Sequence, residues 1–264
     1  MDAQGIAVVT GASRGFGRAI AIELARAGFD VVATMRDPQA GAGLREAVRG
    51  GSGTITVTRL DVTEPDSIEL PDGLRVLVNN AGTEADYLPV EAVPMAQWRH
   101  VFETNLFGLV EVTRRAVPLM RTAGGGVICN ITSASLAMSV PFYSVYRASK
   151  AAVQTMGESL RAEVAPFGIR VVEIMPGPVD TDMLAASARP PEAAECPGYE
   201  TMAQSMHEGR TAVDEFITPS AIAATAVLGA ILADDGPLRW SCDRLGRQLL
   251  SGWQADPDGI LSAR

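Results

Sequence analysis

The stretch Ile6-Ala7-Val8-Val9-Thr10-Gly11-Ala12-Ser13-Arg14-Gly15-Phe16-Gly17 decides the fold. A short apolar run, 6–10, ends in three glycines spaced G-x-x-x-G-x-G, and a helical pattern over 16–27 begins inside them. Unbroken apolar runs of this length suit a parallel strand buried on both faces, because alternation disappears when neither face meets water. Gly11 permits a tight turn, Gly15 lets the backbone approach a pyrophosphate, and Gly17 lets helix and sheet pack closely. Amides at the helix start then face the phosphate charge. The spacing differs from the commoner G-x-G-x-x-G, so its weight comes from the strand–turn–helix setting.

That setting repeats along the chain. Runs at 31–34, 54–58, 74–78, 127–131 and 171–175 read as further strands. Between and after them, 44–48, 97–121, 145–165 and 219–232 carry helical patterns. The alternation predicts an α/β fold: a Rossmann-type, doubly wound parallel sheet with helices on both faces. No repeat or linker divides the chain, so one domain over 1–264 is expected. Two connections are irregular. Pro65 and Pro71 leave room for about one helical turn between 61 and 74. The segment from Gly177 to about 216, with Pro190-Pro191 and Pro197-Gly198, is long for a plain connection. Its part from about 183 to 216 is expected to form a substrate lid.

Composition excludes several classes. A net charge of −9 argues against nucleic-acid and anionic-membrane binding. No apolar run is long enough to span a bilayer, and no secretion signal is expected at the start. Cys129, Cys196 and Cys242 show no metal-ligand spacing and fit a reducing cytoplasm. With only His100 and His207, a histidine zinc site or serine triad is not expected, and no metal is assigned.

The chemistry-bearing residues are Tyr146 and Lys150. Four residues apart on a helix, they share a face, where the ammonium favours ionisation of the phenol. A hydroxyl from elsewhere then shares the same substrate oxygen. Tyr143 competes for the tyrosine role but lies seven residues from Lys150. At the end of the second strand, Val32-Ala33-Thr34-Met35-Arg36-Asp37 decides between two nicotinamide cofactors. Met35 stands where an acidic residue would bind a ribose 2′-hydroxyl, and Arg36 offers a guanidinium to a 2′-phosphate. Arg14 is a second candidate for that group. Asp37 is the competing acidic reader, so NADP(H) is favoured and NAD(H) is the alternative.

Taken together, TGASRGFG at 10–17, Asp61-Val62, NNAG at 79–82, Asn105, Ser133, YRASK at 146–150 and PGPVDT at 176–181 resemble the short-chain dehydrogenase/reductases. The likeness is to their compact single-domain branch and covers roughly the first 185 residues. It implies a catalytic set of Asn105, Ser133, Tyr146 and Lys150. Tyr146 is then general acid in reduction and base in oxidation, Ser133 holds the substrate oxygen, and Lys150 bonds the nicotinamide ribose. Asn105 bends its helix and holds a water that relays protons to the lysine. The implied cofactor contacts are Gly11, Ser13, Arg14, Gly15, Phe16, Gly17, Arg36, Asp61, Val62, Asn79, Ala81, Gly82, Tyr146, Lys150, Pro176, Gly177, Val179 and Thr181. Asp61 and Val62 meet the adenine, and Thr181 bonds the carboxamide, with an ordinary helix cap as its competing role.

Ser133, Ser135, Tyr143, Tyr146 and Met183 are the expected substrate contacts. Further walls are expected from Ala134, Leu136, Met138, Val140, Phe142, Leu184, Met202 and Met206, a mix that suits a bulky hydrophobic ketone. The tail from 236 resembles hydroxysteroid and retinol dehydrogenase-like members. The helices at 97–121 and 145–165 are the faces that the family pairs, so a homodimer is expected. The competing readings are an NAD-dependent alcohol dehydrogenase working oxidatively, a silent cofactor-binding sensor, and an extended-branch epimerase or dehydratase. The sensor is disfavoured because the catalytic set is complete; the chain after Pro176 is short for the epimerase's second domain.

Overall fold

A computed structural model describes residues 1–257 of the chain. The end of the expected 1–264 domain, residues 258–264, lies outside the described residues. Seven parallel strands form one sheet in the order β3-β2-β1-β4-β5-β6-β7. They are β1 (Ile6–Val9), β2 (Asp30–Met35), β3 (Thr54–Arg59), β4 (Leu74–Asn79), β5 (Gly126–Ile131), β6 (Ile169–Ile174) and the two-residue β7 (Arg239–Trp240). The first six lie where the apolar runs put them. The doubly wound expectation holds.

Alternate residues of each strand feed opposite cores, as the period of two requires. On one face Ala7, Val9, Val31, Val78 and Cys129 pack under α1 (Gly15–Ala27) and α7 (Ser220–Leu232). On the other, Val8, Leu77, Ile128 and Val171 pack under α3 (Leu109–Thr122) and the end of α4 (Ser144–Val164). Strand order reverses between β1 and β4: residues Ile6–Val9 of β1 pair with β2 on one side and with β4 on the other. Loops leaving the carboxyl ends of these two strands diverge to opposite sides and open a crevice, the usual ligand position in such sheets.

Several elements differ from expectation. The 44–48 pattern yields only a 3-10 turn, Glu46–Val48, since five residues between glycine-rich flanks cannot sustain a helix. The single helix expected over 97–121 is interrupted: α2 (Met95–Phe102) passes through a π-turn, Glu103–Gly108, into α3. The crossover from 61 to 74 holds one 3-10 turn, Pro65–Ser67, as the prolines dictate. Within the expected lid stand α5 (Asp182–Ala186) and α6 (Glu200–Ala212).

The tail is more structured than its sequence indicates. After β7 comes α8 (Arg244–Ala255), and Asp243 is its N-cap, accepting from the Gly246 amide at 2.7 Å. The same carboxylate accepts from the Gly177 amide at 2.6 Å and is buried, so the tail clamps the turn after β6. Arg239 of β7 pairs with buried Glu173 of β6 at 3.4 Å, which anchors this short edge strand.

Candidate active site

The crevice is a cleft of about 970 Å³ running from Gly11 and Arg36 at one end to Tyr143, Met183 and Arg189 at the other. Its floor is the glycine turn. Gly11 sits at φ +66°, and a Cβ there would stand 2.9 Å from the Ala81 Cα. A Cβ on Gly17 would collide with the Asn80 side-chain amide, which donates to the carbonyls of Thr10 and Gly11 at 2.9 and 3.2 Å. Arg14 precedes α1 without a side-chain cap, and the first turn carries no acidic residue. The first amides of α1 therefore open toward the cleft with no side chain competing for them, a cradle that fits a pyrophosphate.

At the adenosine end both Met35 and Arg36 line the cleft, Met35 buried and Arg36 exposed. The Asp37 carboxylate accepts from the Gln39 amide at 2.9 Å and caps a 3-10 turn. It does not line the cleft, so the competing acidic reader is occupied elsewhere. Arg14 faces the cleft and pairs with Asp182 of α5 at 3.5 Å, linking the cofactor turn to the lid. Asp61 lines the wall with Val62, one oxygen accepting from the Thr63 amide and hydroxyl.

Of the expected cofactor contacts, Asn79 alone lies away from the cleft. It is buried in the sheet and donates to Thr113 Oγ1 and Asn130 Oδ1, both at 2.9 Å; the neighbouring Asn80 faces the cleft instead. Alternation along β4 is the reason, since adjacent residues leave a strand in opposite directions. Pro176, Gly177, Val179 and Thr181 line the far wall. Thr181 is also the α5 N-cap, accepting from Leu184 N and donating to Val179 O, both at 3.2 Å. Both of its expected roles thus fall on one hydroxyl, which keeps one lone pair for a carboxamide N–H.

At the centre, Tyr146 and Lys150 emerge from the first turns of α4. The Lys150 ammonium lies 5.8 Å from the Tyr146 ring centroid and donates to the Ile131 carbonyl at 2.8 Å. Burial pushes its pKa down to about 8, with the Glu84 carboxylate opposing. Ser133, two residues after β5, lines the cleft together with Tyr146, and its hydroxyl favours the ionised phenol. Ser133 is oriented by Ser135, whose hydroxyl lies 2.9 Å away and whose amide donates to it at 3.2 Å. Ser135 itself does not line the cleft, and its carbonyl accepts from Arg147 Nε at 2.9 Å. It positions Ser133.

Asn105 lies in the π-turn, fully buried. Its side chain accepts from Thr83 N at 2.8 Å and donates to Thr83 O and Ser149 Oγ at 2.9 Å. The extra residue of a π-turn aims this amide inward at the loop after β4. Of the apolar walls expected, Met183 and Leu184 line the cleft, whereas Ala134, Leu136, Met138, Val140 and Phe142 do not. Met202 is exposed on α6, and Met206 packs with Phe142 and Tyr199 in a small cluster behind the cleft. Spacing on a helix does not say which neighbour a methionine meets.

One polar cleft residue, Glu84, carries no signal in the sequence. Glu84 follows the NNAG segment and accepts from Tyr143 Oη at 2.5 Å and Tyr87 Oη at 3.0 Å. Burial raises its pKa, and the two phenols and Arg189 work in the opposite direction. Burial, then the Glu84 charge, raises the Tyr146 phenol above its ordinary value, while the Ser133 hydroxyl lowers it.

The short chain dehydrogenase family model matches residues 5–192. The chain belongs to that family. It is 42% identical over 191 residues to the oxidoreductase YusZ of Bacillus subtilis, covering 69% of this chain and 68% of that one. It is 34% identical over 189 residues to estradiol 17-beta-dehydrogenase 2 of Rattus norvegicus, covering 68% of this chain and 49% of the relative. The chain thus spans about half the length of that relative. Among solved structures, a short chain dehydrogenase from Burkholderia cenocepacia in complex with NADP superposes with a TM-score of 0.75. That match has 25% identity and covers 97% of this chain and 96% of the other. The chain is an oxidoreductase of this family.

Proposed function

We propose that the chain interconverts a ketone and a secondary alcohol with NADP(H), Tyr146 serving as the acid and base. The observation that carries this reading is the convergence of Tyr146, Ser133 and Lys150 on one wall of the glycine-cradled cleft. When bound, the nicotinamide supplies the hydride in reduction. Ser133 holds the carbonyl oxygen, and Tyr146 passes its proton to that oxygen as the alcohol forms. Lys150, fixed by the Ile131 carbonyl, holds the ribose hydroxyls and stabilises the phenolate left behind. Asn105 acts as a positioning residue by holding the Thr83 loop against Ser149 of α4.

Arg36 in the cleft, with Asp37 occupied as a cap, supports NADP(H) over NAD(H). The decisive test pairs ketone reduction with cofactor titration. NADPH is expected to exceed NADH in kcat/KM, and Arg36→Ala to reduce that preference by about tenfold or more, the worth of a charge-assisted hydrogen bond. Preference for NADH in the unaltered chain overturns the NADP(H) reading in favour of the NAD-dependent alcohol dehydrogenase.

The apolar lid residues Met183 and Leu184 support a hydrophobic substrate body. The chain is read as one domain with 183–216 as its lid, and as a homodimer joined through α3 and α4. Val110, Val117, Met156, Leu160 and Phe167 line a surface groove on those helices. Three free cysteines support residence in the reducing cytoplasm, and no described helix is long and apolar enough to cross a membrane.

A further inference from the structure

Beside Tyr146, one wall of the cleft carries two oxygen acceptors, Glu84 and Tyr143, while Met183 and Leu184 also line it. Tyr143 gives its only hydroxyl proton to Glu84 Oε1 at 2.5 Å, and Tyr87 gives its own to Oε2 at 3.0 Å. Two phenols donating to one carboxyl hold it as an acceptor on both oxygens. Tyr143 then presents only lone pairs to the cleft, and so does Glu84; both line it next to Tyr146. The Tyr143 and Tyr146 ring centroids are 5.1 Å apart, so a molecule at the Tyr146 hydroxyl lies within a few bonds of this wall.

The wall is held from every side. Asn105 fixes the Thr83 backbone beside Glu84 through two hydrogen bonds. Tyr87 is fixed by Glu192, which accepts from its amide at 2.9 Å, and by the Arg189 guanidinium 4.9 Å over its ring. Phe142, just before Tyr143, sits at φ +61°, a left-handed conformation that is strained for a non-glycine residue. It is retained with its ring edge-on to Tyr199, at 5.8 Å between centroids. A strained residue supported from the lid keeps Tyr143 turned to Glu84.

We propose that Glu84 and Tyr143 form an acceptor pair that selects ketones bearing a hydrogen-bond donor, a hydroxyl or an ammonium group, a few bonds from the carbonyl. This deepens, and rests on, the carbonyl-reduction reading above. The apolar lid residues pack the body of such a substrate, and the pair reads its one polar group. A ketone without the donor leaves both acceptors facing apolar surface, which is how a buried polar wall rejects a simpler analogue.

The experiment compares acetophenone, 2-hydroxyacetophenone and 2-aminoacetophenone as substrates for the full chain, its Glu84→Gln and Tyr143→Phe variants. Binding of 1-phenyl-1,2-ethanediol and 1-phenylethanol to the cofactor-loaded chain is measured alongside by saturation-transfer NMR. The unaltered chain is expected to prefer a donor-bearing ketone by about tenfold or more in kcat/KM and to bind the diol correspondingly tighter. Preference for the hydroxy ketone assigns the hydroxyl; preference for the amino ketone assigns the ammonium. Glu84→Gln, which puts an amide donor against the substrate donor, removes the preference. Tyr143→Phe deletes one acceptor, leaves Glu84 in place and reduces the preference by a few fold. Equal use of all three ketones, or an unchanged preference in both variants, overturns the proposal while carbonyl reduction stands. Selective diol binding without turnover of any ketone upholds the acceptor pair and overturns the reductase reading.

Discussion

Tyr146 stands where burial and a nearby carboxylate oppose its ionisation. Burial and the Glu84 charge both raise the phenol, and Glu84 also holds the buried Lys150 up against desolvation. The sign of the pH effect follows. Replacing Glu84 by Gln removes a negative charge from both neighbours, so each loses its proton at lower pH. The basic limb of the kcat profile for reduction is expected to move to lower pH in Glu84→Gln, measured with a ketone lacking other titratable groups. A limb that stays in place, or moves upward, would show that Glu84 does not act on Tyr146. The sequence makes the Tyr146–Lys150 pair legible because four-residue spacing on a helix is local geometry. It leaves Glu84 silent because its meaning depends on Tyr143, 59 residues away in the chain and joined only by folding.

At the scale of elements, the strands and the glycine turn are legible because burial on both faces writes itself into continuous apolar runs. The π-turn that divides α2 from α3 is not legible in the helical pattern over 97–121; only the family resemblance, through Asn105, implies a bend there. Nor is the role of α8. Its N-cap Asp243 holds both its own first turn and the Gly177 amide of the cofactor wall, from a point 66 residues away. A carboxylate so engaged links tail stability to cofactor binding. Asp243→Ala is expected to cost about 1–3 kcal/mol in stability, for the cap and the orphaned Gly177 amide. Cofactor affinity is expected to fall with it. Chemical denaturation and cofactor titration check both, and a variant with unaltered values of each contradicts the clamp.

At the scale of the molecule, the sheet order places every cofactor-facing loop at one edge, where β1 and β4 diverge. Elsewhere on the surface, the α3–α4 groove has the exposed Phe167 on its rim. If two copies meet there, a charge in that groove must be buried on association. Light scattering is expected to give the mass of two chains, and Phe167→Asp to shift it toward one, because an unpaired interfacial carboxylate is strongly unfavourable. A mass of one or four chains for the unaltered protein contradicts the pairing.

The central claim is that Tyr146 handles the proton while the rest of the cleft holds the cofactor. Its most direct test is single-turnover ketone reduction by Tyr146→Phe, with cofactor Kd measured on the same preparation. The expected result is a loss of about 10²–10⁴ in the rate of the chemical step, the usual contribution of a positioned acid, with Kd changed by no more than a few fold. A variant that keeps a tenth or more of the rate while binding cofactor normally would contradict it.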